Sequence, residues 1–492
     1  SNYLQTNYTV LSVGRVMTCV LGMIVRRERE IREFVKTPFF RVISTVDVEG
    51  QTFEGEWRAV KGSRYFESFD LYKENGFQKR EKAEELIAYL SQPLPLTCEI
   101  LSIEKKKEKK NPPLLFNLAE LQNECSKRFK ISPDETLRIV QELYEKKLVT
   151  YPRTDARVLS TAVAKEIHKN LNGLSKYEMA GPFLSDILRF GSHKGLEKTR
   201  YVNDKQITDH YAIIPTGQGL PALQAVAPTA RQVYDLIVRR FLSIFYPPAV
   251  YQKVSIVTKR KEEQFFSSFK VLAEEGYLKV TGVPGTKKGE DAGEDNENQD
   301  EDLFSLVQKL QKGMQLNVQG FQIKEGETSP PKRYNSGSII LAMENAGQLI
   351  EELRAQIKGS GIGTSATRAE ILKKLIHIKY LALNKKTQII TPTLLGEMVF
   401  DVVGHSIRSL LNPELTASWE KGLNYVAEGE ITPEEYMMKL ERFVQNHTNG
   451  VLGLNNQYQL RACYDRAAGF YQKPKMTAKK DVHFKQRHGK PD

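Results

Sequence analysis

Residues 146–160 read KKLVTYPRTDARVLS. They set a phenol (Tyr151), a guanidinium (Arg153) and a carboxylate (Asp155) close together, with Pro152 fixing the backbone between the first two. Tyrosine attacks phosphorus poorly unless cations and hydrogen-bond donors stabilise the charge developing on its oxygen and on the phosphate. Arg153, two residues on, is placed to supply one of them. The plainer alternative is a tyrosine packed at a helix end beside a surface ion pair.

The chain around this run is basic. It has 492 residues, a net charge of +12, 40% hydrophobic and 27% charged residues, which describes a globular protein of several structural units. The acidic run Glu290–Asp302 makes the remainder more basic still. A polyanion is the natural partner for such a surface. Nucleic acid is expected before membrane, because no basic amphipathic helix stands out. No apolar run approaches the roughly 20 residues that span a bilayer, and the first residues lack the pattern of a secretory signal, so a cytoplasmic location is expected. Cys19, Cys98, Cys125 and Cys463 form no C-x-x-C pair and no zinc spacing with histidine, and are expected as buried thiols. No Gly-Lys-Ser/Thr phosphate loop occurs.

The elements that must carry the tyrosine can be read from periodicity and capping. Residues 39–60 alternate β-branched or aromatic with polar residues around Gly50, as a hairpin does, and a second such tract runs from 251 to 280. Between them Asn117, with Glu120 three residues on, is placed to cap a helix. Ser132-Pro133-Asp134-Glu135 forms a capping box that opens another. The pair has helix-turn-helix spacing and is equally ordinary for two packed helices. Thr432-Pro433-Glu434-Glu435 starts a further helix on which Met437 and Met438 are expected to fill core. Trp419 is expected as a core anchor more than as a base-stacking platform.

The tyrosine run does not stand alone. TDHYAIIPT (208–216), GSGIGTSATRAEIL (359–372), LSVGRVMTCV (11–20) and ELTASWEKGL (414–423) accompany it. Taken together and in this order, the motifs resemble those of type IA DNA topoisomerases, and the Asp-His-x-Ala-Ile-Ile-Pro-Thr form is closest to the topoisomerase III branch. The resemblance covers about residues 8 to 450. It implies a multidomain α+β toroid, a β-rich arch with two mainly helical domains that contain helix-turn-helix-like units. Residues 1–38 and 328–455 would be a helical base that binds single-stranded DNA. Residues 39–110 and 220–327 would form the arch, with a disordered acidic loop at 285–302. Residues 111–219 would carry the tyrosine, and 456–492 would be a basic tail.

By the same resemblance Tyr151 is the nucleophile that forms a 5′-phosphotyrosine, Arg153 contacts the scissile phosphate and His210 stands near the reacting atoms. Arg15 would bind single-stranded DNA beside the cleavage site. Gly361 and Gly363 would let backbone approach a strand, and Thr364, Thr367 and Arg368 would offer phosphate donors. Tyr211 departs from the family, which commonly has a second histidine there; Met17 and Cys19 replace the usual glutamine and proline. The family's magnesium is held by an N-terminal Toprim domain with an Asp-x-Asp-x-Glu cluster. That cluster is absent here, so the resemblance implies a chain without the Toprim domain, no metal ligands of its own and no zinc.

The activity implied for the parent enzyme is a bacterial, nucleoid-associated, ATP-independent isomerase acting as a monomer on single-stranded and on negatively supercoiled or catenated DNA, relaxing and decatenating it with magnesium; the chain itself is expected to bind single strands without being competent alone. The alternatives are a non-catalytic single-strand-binding module and a chain that works with a separate Toprim subunit.

Overall fold

The structure, a computed structural model, describes residues 11–207, 209–282, 304–346 and 361–471. Thr208, the acidic loop and the stretch 472–492 lie outside these residues. The hairpin expected around Gly50 is β1 (Pro38–Val48) and β2 (Gln51–Arg58), paired Val48 to Gln51. Glu49 and Gly50 both take positive φ, 51° and 86°, the two-residue turn whose twist matches that of its strands.

Six further strands join it: β3 (Leu71–Lys73), β4 (Gly76–Phe77), β5 (Thr97–Lys110), β6 (Ala249–Arg260), β7 (Glu263–Glu274) and β8 (Gln315–Glu327). The order is β2-β7-β6-β5-β8-β1-β4-β3, every pairing is antiparallel, and β1 pairs with β2 as well. The sheet therefore closes on itself, which removes the exposed edges an open sheet would present. Helix α2 (Arg80–Leu90) covers it, packing Ala83, Leu86 and Leu90 with Trp57 and Phe77. Trp57 is fully buried, stacks on Phe77 at 4.9 Å and donates its indole N–H to Glu263 Oε2 at 2.5 Å.

Lys110 ends β5 opposite Ala249 of β6, so the intervening residues leave and re-enter the sheet side by side. They form a helical unit of α3 (Leu118–Phe129), α4 (Pro133–Glu145), α5 (Thr161–Lys165), α6 (Ile167–Gly173), α7 (Gly181–Phe190) and α8 (Pro228–Ser243). The caps read from sequence are present: Asn117 Oδ1 accepts from Glu120 N at 2.9 Å and Ser132 Oγ from Glu135 N at 3.2 Å. One boundary differs. Residues from 220 were expected in the arch, yet Val233, Ile237 and Phe241 of α8 are buried in one core with Leu121, Val140 and Leu143 of α3 and α4. An i, i+4, i+8 apolar face needs a helical partner, and the helical unit provides it. The single turn α9 (Leu278–Thr281) adds Val280 to that core.

The third unit surrounds α1 (Arg15–Glu33), whose Cys19, Val20, Leu21 and Ile24 are buried. Against it lie α10 (Ser336–Glu344), α11 (Arg368–His377), the short pair β9 (Leu381–Leu383) and β10 (Ile390–Pro392), α12 (Leu394–Gly404) and α13 (Pro413–Ala427). Helix α14 (Pro433–Leu452) corrects a reading: Met437 and Met438 are 47% and 57% exposed. Tyr436 and Phe443 face Trp419 instead, at 5.5 and 5.7 Å between rings, and helical spacing turns the two methionines off that face. Trp419 is thus an anchor between α13 and α14. Within the expected tail, Gln457–Ala468 is helix α15, tied back by Asn456 Nδ2 to His405 O at 2.8 Å.

The helical unit meets the base along α3 and α10, a seam of small and polar groups. A Cβ on Gly337 would stand 2.6 Å from Asn123 Cα, so only glycine permits this approach. Ser126 Oγ and Ser336 Oγ are 3.0 Å apart, Ser336 Oγ donates to Gln388 Oε1 at 2.8 Å, and Gln388 Nε2 donates to Lys130 O at 3.0 Å.

Candidate active site

Two of the sequence motifs are zipped together in the helical unit. Thr150 N donates to Ile214 O at 3.0 Å, while Thr150 Oγ1 donates to Ala212 O at 3.1 Å and accepts from Ile214 N at 3.0 Å. Thr154 Oγ1 donates to His210 O at 2.8 Å and accepts from Ala156 N at 3.0 Å. Each threonine hydroxyl thus satisfies buried backbone that a turn after a helix would otherwise orphan. The pairing sets Tyr151 beside His210, ring centroids 4.3 Å apart and planes 45° apart, with Tyr144 edge-on to Tyr151 at 5.4 Å.

Tyr151 is half-buried on the wall of an open cleft of about 480 Å³, which His210, Tyr211, Lys147 and Gln218 also line. Arg153 is exposed, lies outside that lining and makes no hydrogen bond or ion pair among the described residues, so its donors are available to a ligand. Tyr211 packs against the helical core, and burial holds its phenol above the ordinary value.

The remaining expected contacts divide. Thr364 and Thr367 are exposed, their hydroxyls 3.1 Å apart at the start of α11, where a helix N-terminus favours an anion. Arg368 was expected to face a phosphate but is buried: Nη1 donates to Asp155 Oδ1 at 2.9 Å and approaches Glu344 Oε1 at 4.0 Å. Gly361 was expected to approach a strand; its Cβ position lies 2.8 Å from Glu344 O and 2.9 Å from Met343 O, so its bareness serves packing on α10. Gly363 takes φ of 69° at the bend into α11. Arg15 donates to Glu420 Oε1 at 2.6 Å and to Thr416 O at 3.1 Å, which ties α1 to the motif of α13.

Sequence reasoning singled out Asp155 and Asn117 without their distant partners and missed Glu344 and Glu420. Asn117 Nδ2 donates to Glu344 Oε1 at 2.6 Å and to Asp155 O at 3.1 Å, so the residue that caps α3 also joins the tyrosine loop to the base. Burial foremost raises the Glu344 carboxyl above its ordinary range, and Asp155 adds to this while Arg368 opposes it. A carboxylate two residues past Arg153 was the one signal in the sequence. Among the described residues no group of three or more His, Cys, Asp or Glu side chains is placed to hold a metal ion, so the site as described does not fit one and no step below runs through one.

A tyrosine and a histidine held in an open cleft by two zipped motifs, with an unpaired arginine two residues away, are parts suited to handling a phosphate. The chain belongs to the DNA topoisomerase family, whose model matches residues 1–438. It is similar to DNA topoisomerase 3 of Bacillus subtilis, 33% identical over 442 residues, which are 88% of this chain and 55% of that protein. DNA topoisomerase 3 of Bacillus licheniformis is 31% identical over 455 residues, 91% of this chain and 58% of its own length. The fold is shared with full-length topoisomerase I from Thermotoga maritima, at a TM-score of 0.62 and 23% identity over 89% of this chain and 63% of that one. These similarities bear out the resemblance to the topoisomerase III branch of type IA enzymes and the mixed α+β fold class. The chain spans a little over half the length of the curated relatives it matches.

Proposed function

We propose that this chain carries the strand-breaking tyrosine and the gate of a type IA DNA topoisomerase. The Tyr151 phenol gives up its proton as its oxygen attacks a backbone phosphorus, a phosphotyrosine bond forms to the 5′ end, the bond from phosphorus to the 3′ oxygen breaks, and that oxygen takes up a proton in turn. Attack by the 3′ hydroxyl reverses each change and releases Tyr151. One phosphodiester is exchanged for another, so no ATP is consumed. His210, against the Tyr151 ring, and Arg153, exposed two residues on and without a partner among the described residues, are the groups that would stabilise charge on the phenol oxygen and on the phosphate. The observation that carries this reading is the 4.3 Å approach of the Tyr151 and His210 rings in an open cleft.

Thr364 and Thr367 at the start of α11, with Arg15 on α1, would receive phosphates of the single strand on the base. Opening along the α3–α10 seam would separate the tyrosine-bearing unit from the base and admit a second DNA segment. The substrates in this reading are negatively supercoiled and catenated DNA, the protein is a cytoplasmic monomer bound to the nucleoid, and magnesium is supplied to the site from outside the described residues.

Tyr151→Phe, made in the full-length protein, tests the assignment. It is expected to abolish covalent capture of DNA in a denaturing gel while changing non-covalent single-strand affinity by no more than about twofold. Continued capture would show that another residue is the nucleophile.

A further inference from the structure

Five arginines lie on α1, and four reach a carboxylate: Arg15 Glu420 at 2.6 Å, Arg27 Glu30 at 3.2 Å, Arg29 Asp401 at 2.8 Å and Arg32 Glu397 at 2.6 Å. Arg26 does not. Its hydrogen bond among the described residues runs from Nη2 to the carbonyl of Leu411 at 2.8 Å, a neutral acceptor. Burial is the largest influence on this guanidinium and pulls its pKa down. Arg26 is nonetheless exposed at the surface, so the guanidinium donors it leaves unused are open to an anion.

The short helical turn that supplies that carbonyl, Arg408–Leu411, also carries Arg408. Arg408 is exposed and has no hydrogen-bond or ion-pair partner among the described residues. Arg26 and Arg408 line one open cleft of about 780 Å³, together with Phe400, His405 and Asn412. Asp401 and Arg29 line it too, but they neutralise each other through bonds of 2.9 and 2.8 Å. Asn412 spends its amide oxygen capping α13, accepting from Glu414 N at 2.7 Å, so it presents its NH₂ donors. Gly22 keeps the arrangement open: a Cβ there would lie 3.4 Å from Arg26 Nη2 and 3.1 Å from Leu411 Cδ2. Two guanidiniums that line one cleft without a carboxylate partner of their own among the described residues favour a bound anion there.

The cleft adjoins the apolar groove at Arg15 and Trp419, since Ser409 lines both. Eleven residues of α1 separate Arg15 from Arg26, roughly 16 Å of helix. We propose that Arg26 and Arg408 form a second phosphate site, which receives the backbone of a single DNA strand laid along α1 beyond the contact near Arg15. This rests on the reading of the chain as a DNA topoisomerase and adds to it where on the base the strand continues.

The test is fluorescence anisotropy of a labelled single-stranded oligodeoxynucleotide, titrated at several salt concentrations with the chain itself. Arg26→Gln/Arg408→Gln is expected to weaken binding roughly tenfold and to reduce the log-log salt slope by about 0.7, the share of one phosphate. Arg408→Gln alone, a change at an exposed position that leaves packing intact, is expected to shift both quantities in the same direction. Oligonucleotide binding by the unmodified chain, with an unchanged slope in both variants, overturns the site and leaves the DNA reading standing. An unmodified chain that binds no single strand overturns the DNA reading itself, and the site with it. Inorganic pyrophosphate that binds the unmodified chain and not the double variant, with the oligonucleotide slope unchanged, overturns the strand assignment in favour of a free phosphate ligand.

Discussion

Replacing Asp155 by alanine tests whether the tyrosine loop is pinned to the base by Arg368. The guanidinium is 5% exposed and the carboxylate 53% exposed, 2.9 Å apart. Exposed pairs are worth about 0–1 kcal/mol, whereas stripping one partner from a fully buried pair costs about 3–5 kcal/mol. This pair lies between those limits, and Glu344 at 4.0 Å still offers Arg368 partial compensation. A loss of about 2 kcal/mol in the closed seam follows, which is roughly a thirtyfold rise in the open population.

Cysteine labelling reads that population. Ser126 is buried against Ser336 in the seam, so a Ser126→Cys thiol reacts only when α3 parts from α10. Cys19, fully buried in the base core away from the seam, is the internal control. In the Ser126→Cys background, Asp155→Ala is expected to speed labelling at 126 about thirtyfold and to leave Cys19 unchanged. Equal acceleration at both thiols would mean global destabilisation, and no acceleration would mean that the ion pair does not hold the seam; either result refutes the reasoning.

Two further predictions concern the same seam. Gly337→Ala forces a methyl to within 2.6 Å of Asn123 Cα, so the helices must separate; a loss of about 1–3 kcal/mol is expected in urea unfolding, with faster labelling at position 126. Glu344→Gln keeps an oxygen for Asn117 and removes the charge. Because the folded carboxyl titrates above 4.5, Glu344 contributes stability that is complete below that value and is lost as pH rises through its folded value. The stability of wild type relative to Glu344→Gln, measured by urea titration across mildly acidic to neutral pH, is therefore expected to fall as pH rises, and an opposite slope would contradict the burial argument.

Local chemistry was legible in the sequence because its causes are local. Asn117, Ser132 and Thr432 cap helices whose N–H groups lie three residues away, and Glu49-Gly50 makes its turn with its own two dihedral pairs. The juxtaposition of Tyr151 and His210 was accessible only through the order of motifs, since nothing in either segment states that Thr150 and Thr154 will zip to residues 210–214. Charged pairings were not legible, even where the carboxylate itself stood out: Asp155 meets Arg368 across 213 positions and Glu420 meets Arg15 across 405. The boundary at residue 220 failed for a related reason, as the strand-rich segment after α8 hid an apolar helical face whose partners precede it by about a hundred residues.

These misses share one physical origin, and it bears on which arginines can handle DNA. A sequence shows where guanidiniums are, but one that the fold has already given a carboxylate must exchange that partner before it can hold a phosphate. Arg368 and Arg15 have been given one, the first to join two units and the second to join two helices of the base. Among the described residues Arg153, Arg26 and Arg408 have not, and the first stands two residues from Tyr151 in the chain while the other two line a cleft farther along α1. Sorting by partner therefore separates arginines that join elements of the protein from arginines whose donors stay open to a ligand, a distinction the sequence does not show. For Arg15 the two roles can alternate, because a phosphate arriving at the groove competes with Glu420 for the same donors. A strand bound there would loosen α1 from α13 as it docks, linking occupancy of the base to its packing.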